Sequence, residues 1–562
     1  MKYRVFQHNP ASQFIQISLT LSCQAGETIQ LQVPAWRPGR YEMANYAQFI
    51  KHLNVLHREK EVPCFKITKD LWTFTALKDG VYEVRYDFFA RQMDAGGSWS
   101  DPYQLYINFV NFIFEVKSRE KEKIHVTLHL PDHYQVATAL PSQKPFEFLA
   151  DDFQHLVDSP LIASPDLNHF TYRVMDTTFH IWIQGEVVFR IADMLQAFKS
   201  FTETQIEAFG DFPATDYHFM IQLLPYKHYH GVEHAFSTVI TFGPADILSE
   251  KSEFQKLVGV SSHELYHFWN VCRIRPKELV PYDLSKESYL DTGLVLEGVT
   301  TYMGDLFLLK SGFFTLEEYL KILSKKVQRE FDSLGWENQS IAESSFDLWL
   351  DGYKEGIPDK KVSIYNRGAL ISLCLDLILL DEGSSLQVVM REMWLKFGKN
   401  QIGYTLKEFE SVVSGKFDQL SDVKDFFNKY VYGKEDVLGI LKKQLLSVGI
   451  SISESFVNND LLHCWGIRTD QNGFTTQIHP DSNAFHEVMI GDKILKINGK
   501  EFSIVPADQE SGLSLLVERH SRKVKIHIPY EAINLYPIYV LNSFESNQKT
   551  EIWSKSICNN IK

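Results

Sequence analysis
The spacing of apolar residues changes twice along the chain, and this limits the folds open to it more than any other feature. Up to about residue 170 the period is two: Ile15, Ile17, Leu19 and Leu21 alternate with Gln16, Ser18 and Thr20, and Ile124, Val126, Leu128 and Leu130 alternate with polar neighbours. Such alternation puts one face of a strand in a core and the other in water, so an antiparallel, β-sandwich-like domain is expected over residues 1–170. Within it, the prolines and Gly39 of VPAWRPGRYEM mark a rigid turn that carries Trp36 toward a packing surface. After about residue 190 the period becomes helical. Phe254, Leu257, Val258, Ser261, Leu265 and Phe268 form one stripe, with Ser252 and Gln255 spaced as a capping box at its start. Val295, Val299, Tyr302, Leu306 and Leu309 describe a second helix, Thr315 and Glu318 open a third with another capping box, and a further helix runs from Tyr365 to about Leu380, with others toward residue 432. Residues 171–452 are therefore expected to be mainly α. Beyond about residue 455 alternation returns: Asn498-Gly499 in GDKILKINGKEF predicts a tight hairpin turn, and Val524, Ile526 and Ile528 alternate. A β-rich module over 453–535 and a tail over 536–562 complete the expected order.

Several domains agree with the length, since 562 residues exceed what one hydrophobic core supports. The net charge of -14 argues against nucleic acid or an anionic membrane as the main partner. The N-terminal MKYRVFQHNPASQF lacks the apolar core of a secretory signal, and the run LISLCLDLILL is interrupted by Asp376 and too short to span a bilayer. With Met1 as the start, a soluble, cytoplasmic protein with no membrane span is expected. Cys23, Cys64, Cys272, Cys374, Cys464 and Cys558 are scattered without CxxC spacing, as in a reducing compartment. Cys272 reads as a bystander thiol near the motif described next.

The segment SSHELYHFWN places His263 and His267 four residues apart, on the side of their helix opposite its apolar stripe. His-Glu-x-x-His on a helix directs two imidazoles at one Zn²⁺ and leaves the intervening carboxylate, Glu264, free to act as a general base. A catalytic His₂Glu site needs a third ligand and an open position. Glu297 in LVLEGVTTYMGDL lies near the start of the next helix, away from its apolar stripe, and is the expected third ligand.

HELYHFWNVCRIRP followed by LEGVTTYMGDLFLLKSG resembles the glycyl aminopeptidase family of zinc metallopeptidases, relatives of thermolysin. PAWRPGRYEM is similar to the Trp-x-Pro-Gly-x-Tyr turn of the family's N-terminal β domain, and GDKILKINGK to a segment of its C-terminal PDZ domain. The resemblance implies a β-sandwich-like domain, a mainly α thermolysin-like catalytic domain and a PDZ-like domain, with one Zn²⁺ per chain. HGVEHAFST is similar to the segment whose glutamate binds a peptide's free α-amine, which implies that role for Glu233; His230 and Ala235 depart from the pattern, and His234 carries no implied role. SIYNRGALISLCLDL resembles the Tyr-x-Lys-Gly segment of wider aminopeptidase relatives, with Arg367 in the lysine position, and implies that Tyr365 points its hydroxyl at the oxyanion. By their residues alone, Glu233 and His234 also suit a polar strand edge, and Tyr365 a packed helix start.

The implied activity is removal of an N-terminal residue, small ones such as Gly or Ala preferred, from peptides with a free N-terminus. Two other readings stay open: an endopeptidase that keeps the zinc and lacks the amine anchor, and a non-catalytic peptide-binding scaffold built on the PDZ-like module.

Overall fold
In the computed structural model, residues 1–354, 356–457, 461–502, 512–531 and 533–555 are described; Cys558 lies outside them. The first expectation holds in its main lines. An eight-stranded sheet is built around Phe14–Cys23, which pairs with Lys2–Asn9 on one side and Gly80–Phe89 on the other. Register sets Ile15 opposite Phe88, Ile17 opposite Tyr86 and Leu19 opposite Val84, all buried, so the alternation becomes one continuous apolar face. Two four-stranded sheets complete the region. The pairing is not wholly antiparallel as expected: Lys2–Asn9 runs parallel to Ile124–His129. More than a hundred residues separate these two strands, which gives the chain ample length for the crossover a parallel pair requires.

The middle of the chain departs from its expected, mainly α character at its start. A five-stranded sheet comes first, in the order Asn168–Val174, Thr177–Gln184, Asp216–Leu223, Ser237–Gly243, His228–Glu233. Ser237–Gly243 is buried along its whole length and Asp216–Leu223 nearly so. Fully buried strands lose the alternation that marks half-buried ones. One face of this sheet supports the helix Ile191–Phe209; at the other, Met220, Val232 and Val239 pack with Tyr106, Ala137 and Ile162 of the β domain.

Helices follow, including Lys251–Tyr266, Thr300–Lys310, Leu316–Phe331 and Asn366–Asp381. The capping box of Thr315 and Glu318 is formed. That of Ser252 and Gln255 is not: the helix begins at Lys251, with no side-chain cap, and Gln255 Nε2 donates instead to Glu318 Oε1 at 3.0 Å. Lys251 Nζ lies 2.5 Å from the same oxygen. Glu318 thus caps its own helix and ties it to the start of the neighbouring one.

The C-terminal region has a separate small core around Trp465, Ile467, Ile494, Leu515 and Ile528, and Asn498-Gly499 forms the expected turn, both residues at positive φ. The described part of the expected tail over 536–562 holds a strand and a helix. Ile538–Ser543 pairs with Ile450–Ser455, and the helix Gln548–Ser554 buries Trp553, whose Nε1 donates to Tyr302 at 2.9 Å. Apolar burial and a satisfied indole N–H return the chain to the helical body.

Hydrogen bonds and the Lys251 charge hold the Glu318 carboxyl down at about 2, from an ordinary 4.5. Its contribution to stability is complete above pH 4.5 and is lost as pH falls toward 2. Denaturant unfolding of Glu318→Gln is expected to show lower stability than the wild type at neutral pH, with the gap closing through that acid window.

Candidate metal centre
The helix carrying the histidine motif ends at Tyr266, so His267 is its C-cap, still in helical geometry at φ -62 and ψ -18. The four-residue spacing therefore keeps both imidazoles on one face. Their Nε2 atoms lie 3.1 Å apart. His267 Nδ1 donates to the Asn270 carbonyl at 3.1 Å, which turns Nε2 toward the cleft. Glu297 enters from Leu294–Val299, a π-helical turn that precedes Thr300–Lys310. Such turns offset one side chain from the helical register. Asn270 holds this one: its Nδ2 donates to the carbonyl of Val295 at 2.7 Å and to Thr300 Oγ1 at 2.9 Å. Glu297 Oε2 then stands 3.6 Å from His263 Nε2 and 3.5 Å from His267 Nε2.

Zinc–ligand bonds of standard length at tetrahedral angles separate donor atoms by about 3.3–3.6 Å. The two distances to Glu297 fall in that range and the 3.1 Å between the imidazoles lies just below it, and Glu297 Oε2 is buried with no hydrogen-bond partner among the described residues. Charge points the same way. Burial opposes a proton on His267, but Glu233 and Glu297 outweigh it and push this residue up to about 10; burial likewise opposes charge on Glu297, and the two imidazoles bring it down to about 2. The pocket is built to hold positive charge, so the donor set fits a divalent zinc ion.

The other expected residues converge on the same cleft. Glu264 is 4% exposed, and a donor atom of each of Glu233, Glu264 and His267 lies within 4.8 Å of the others. Burial, together with Glu233 and Glu297, pushes Glu264 well above the ordinary carboxylate range. Tyr365 caps the helix Asn366–Asp381 and donates to Glu297 Oε1 at 3.3 Å; burial and Glu297 keep its hydroxyl protonated. That helix approaches the π turn at Gly298 and Gly368, where a Cβ on either would come within 2.6 Å of the other's Cα. Arg367 is fully buried away from the cleft, paired with Glu330 at 2.8 Å.

Glu233 ends the edge strand His228–Glu233. The turn of the N-terminal domain presses on it: Gly39, at φ 75, leaves room where a Cβ would meet Glu233 Oε2 at 2.6 Å. Trp36 anchors the turn, with Nε1 donating to the Asp283 carbonyl at 3.0 Å and its ring edge-on to Trp349. Glu233 Oε1 is buried and unpartnered. His230, one of the two departures in this segment, faces Arg37 and accepts from Ala95 N at 3.3 Å; burial and Arg37 push it down to about 4, so the ring is neutral. Gly231 is the residue that meets Glu264, where any Cβ would overlap Oε1, so the strand keeps its close approach despite His230. His234 Nδ1 and Ala235 N both reach Asp158, which holds the strand end in place.

Sequence reasoning passed over Asn270, Gly231 and the contact of the Gly39 turn with Glu233. Asn270 stands three residues beyond His267, and its neighbourhood to the motif was the available signal. Replacing a residue that orients metal ligands costs about 10- to 100-fold in metal affinity; Asn270→Ala is expected to show a loss of that size in zinc titrations against a competing chelator.

The family described as Peptidase M61 N-terminal domain matches residues 2–165, and that described as M61 glycyl aminopeptidase matches residues 256–371, a span holding His263, Glu264, His267, Glu297 and Tyr365. Among solved structures, an aminopeptidase N family protein from Idiomarina loihiensis is similar with a TM-score of 0.90, over 99% of this chain and 100% of that one, at 24% identity. An M1 zinc metallopeptidase from Deinococcus radiodurans is similar over 77% of this chain and 94% of that one, at 13% identity and a TM-score of 0.49. No curated protein matches the sequence at a significant level. No helix among the described residues is long and apolar enough to cross a membrane. The N-terminal and catalytic matches fall in order on one chain, as the motifs implied: the protein carries the N-terminal and catalytic domains described for M61 glycyl aminopeptidases.

Proposed function
We propose that this protein hydrolyses the N-terminal peptide bond of peptides, with His263, His267 and Glu297 holding one Zn²⁺ per chain. The observation that carries this reading is a buried, unpartnered Glu233 carboxylate oxygen beside three donor atoms 3.1–3.6 Å apart. When bound, the ion polarises the scissile carbonyl and activates water. Glu264 takes the proton of the attacking water and passes it to the leaving amine, a task suited to a carboxylate whose burial raises its proton affinity. The Tyr365 hydroxyl donates to the developing oxyanion. Glu233 pairs with the substrate's ammonium, which relieves an otherwise uncompensated buried charge and favours chain ends over internal bonds. The free side of the edge strand His228–Glu233 suits backbone pairing with an extended substrate.

A preference for Gly or Ala is part of the proposal, supported by the family description. A thermolysin-like endopeptidase would leave Glu233 without a task, and a non-catalytic scaffold would leave the base and the donor set unused. Residues 453–535 form the PDZ-like module of this reading, supported by their separate core and the Asn498-Gly499 hairpin.

Aminoacyl arylamides assayed with and without a zinc chelator provide the test, beside Glu264→Gln. Expected are activity on glycyl and alanyl substrates, its loss on chelation, and a fall of about 10²- to 10⁴-fold in the variant with zinc retained. Acetylation of a peptide's N-terminus is expected to abolish cleavage; internal cleavage of the acetylated peptide would exclude the amine anchor. Undiminished activity in Glu264→Gln would exclude the general base.

A further inference from the structure
A cavity of about 400 Å³ lies beside the reaction centre, with Tyr365 and Thr301 in its lining. It extends past Lys326, Arg329 and Trp336 to Lys361. Most of the charges along it are neutralised. Glu330 pairs with Arg367, Lys326 with Asp305 at 3.3 Å, and Lys361 with Asp351 at 3.6 Å. Arg329 is the exception: it has no ion-pair partner within 4.0 Å among the described residues, and it is exposed. Two polar atoms in the lining, Trp336 Nε1 and Thr301 Oγ1, are buried without a hydrogen-bond partner among the described residues. An indole N–H only donates, and a buried donor left unpaired is costly. A guanidinium with no counter-charge and two unsatisfied groups, at least one of them an obligate donor, together call for an anionic ligand rich in acceptors. Arg329 also lies close enough to Tyr229, on the substrate-binding edge strand, for its charge to act on that hydroxyl.

We propose that this cavity takes the part of the peptide beyond the scissile bond, and that Arg329 binds its C-terminal carboxylate, which makes short peptides with a free C-terminus the preferred substrates. The proposal rests on the aminopeptidase reading, since it takes the Tyr365 end of the cavity as the place where the bond is cut. A volume near the lower end of the range for ligand sites suits one or two residues after the first. Arg329 is a binding residue here and takes no part in the chemistry. The Trp336 N–H and the Thr301 hydroxyl supply donors to the carboxylate or to the last peptide carbonyl.

The test compares Ala-Ala and Ala-Ala-Ala with their C-terminal amides, and Ala₅ with its amide, on the purified zinc-loaded protein, with alanyl arylamide as the measure of the reaction itself. A surface-exposed ion pair is worth up to about 1 kcal/mol, or about fivefold. Expected is a KM about fivefold lower for the di- and tripeptide acids than for their amides, with no such gap for the pentapeptide. Arg329→Gln is expected to close the gap, and Arg329→Glu to reverse it so that amides are preferred; both substitutions are at an exposed position and leave the core intact. Equal KM values for acids and amides in a wild type that cleaves the arylamide would overturn the pocket while leaving the aminopeptidase reading in place. A gap that persists in Arg329→Gln would overturn the role of that residue. Ala-Glu amide binding as tightly as Ala-Ala would overturn the assignment to the chain end, since an acidic side chain would then suffice.

Discussion
Negative charge gathered in a buried cleft is the constraint around which the rest of this molecule is arranged. Glu233, Glu264 and Glu297 are each at most 6% exposed, and their carboxylates share one space with His267. Repulsion among buried anions is tolerable only when cations enter or protons are retained. In the proposed reading a divalent ion among His263, His267 and Glu297 answers one part of that demand, the proton that Glu264 takes from the attacking water another, and a substrate ammonium at Glu233 the third. Binding, catalysis and the stability of the cleft are therefore one electrostatic problem.

Holding such a cluster together requires supports from every layer of the fold. Asn270 fastens the π turn bearing Glu297 to the end of the histidine helix. Gly298 and Gly368 let the helix behind Tyr365 approach that turn. From the other side the N-terminal domain contributes the Gly39 turn against Glu233, secured by Trp36 at a position 0% exposed. The β domain is in this way a wall of the cleft as well as a neighbour, and His230 with Arg37 forms part of the seam.

Much of this was legible in advance because it depends on short-range periodicity. The spacing of His263, Glu264 and His267 implies a shared helical face whatever the surroundings, and the alternation around Ile15 to Leu21 implies a half-buried strand. Where burial is two-sided the signal fades: Ser237–Gly243 is buried at all its positions and offers no alternation to read. The same limit hid the five-stranded sheet whose edge carries Glu233. Capping was legible at Thr315 and misleading at Ser252, because Gln255 found a better acceptor on another helix.

By itself the sequence determined the inventory of chemical groups, the helical spacing of the histidine pair and the order of β, α and β regions, since each follows from residue type and local period. Tertiary structure alone decided that Glu297 meets both imidazoles, that the Gly39 turn closes on Glu233, and that a cavity lined by Arg329 opens beside Tyr365. Those outcomes depend on how separate elements pack, and contacts between positions far apart in the chain leave no periodic trace in it.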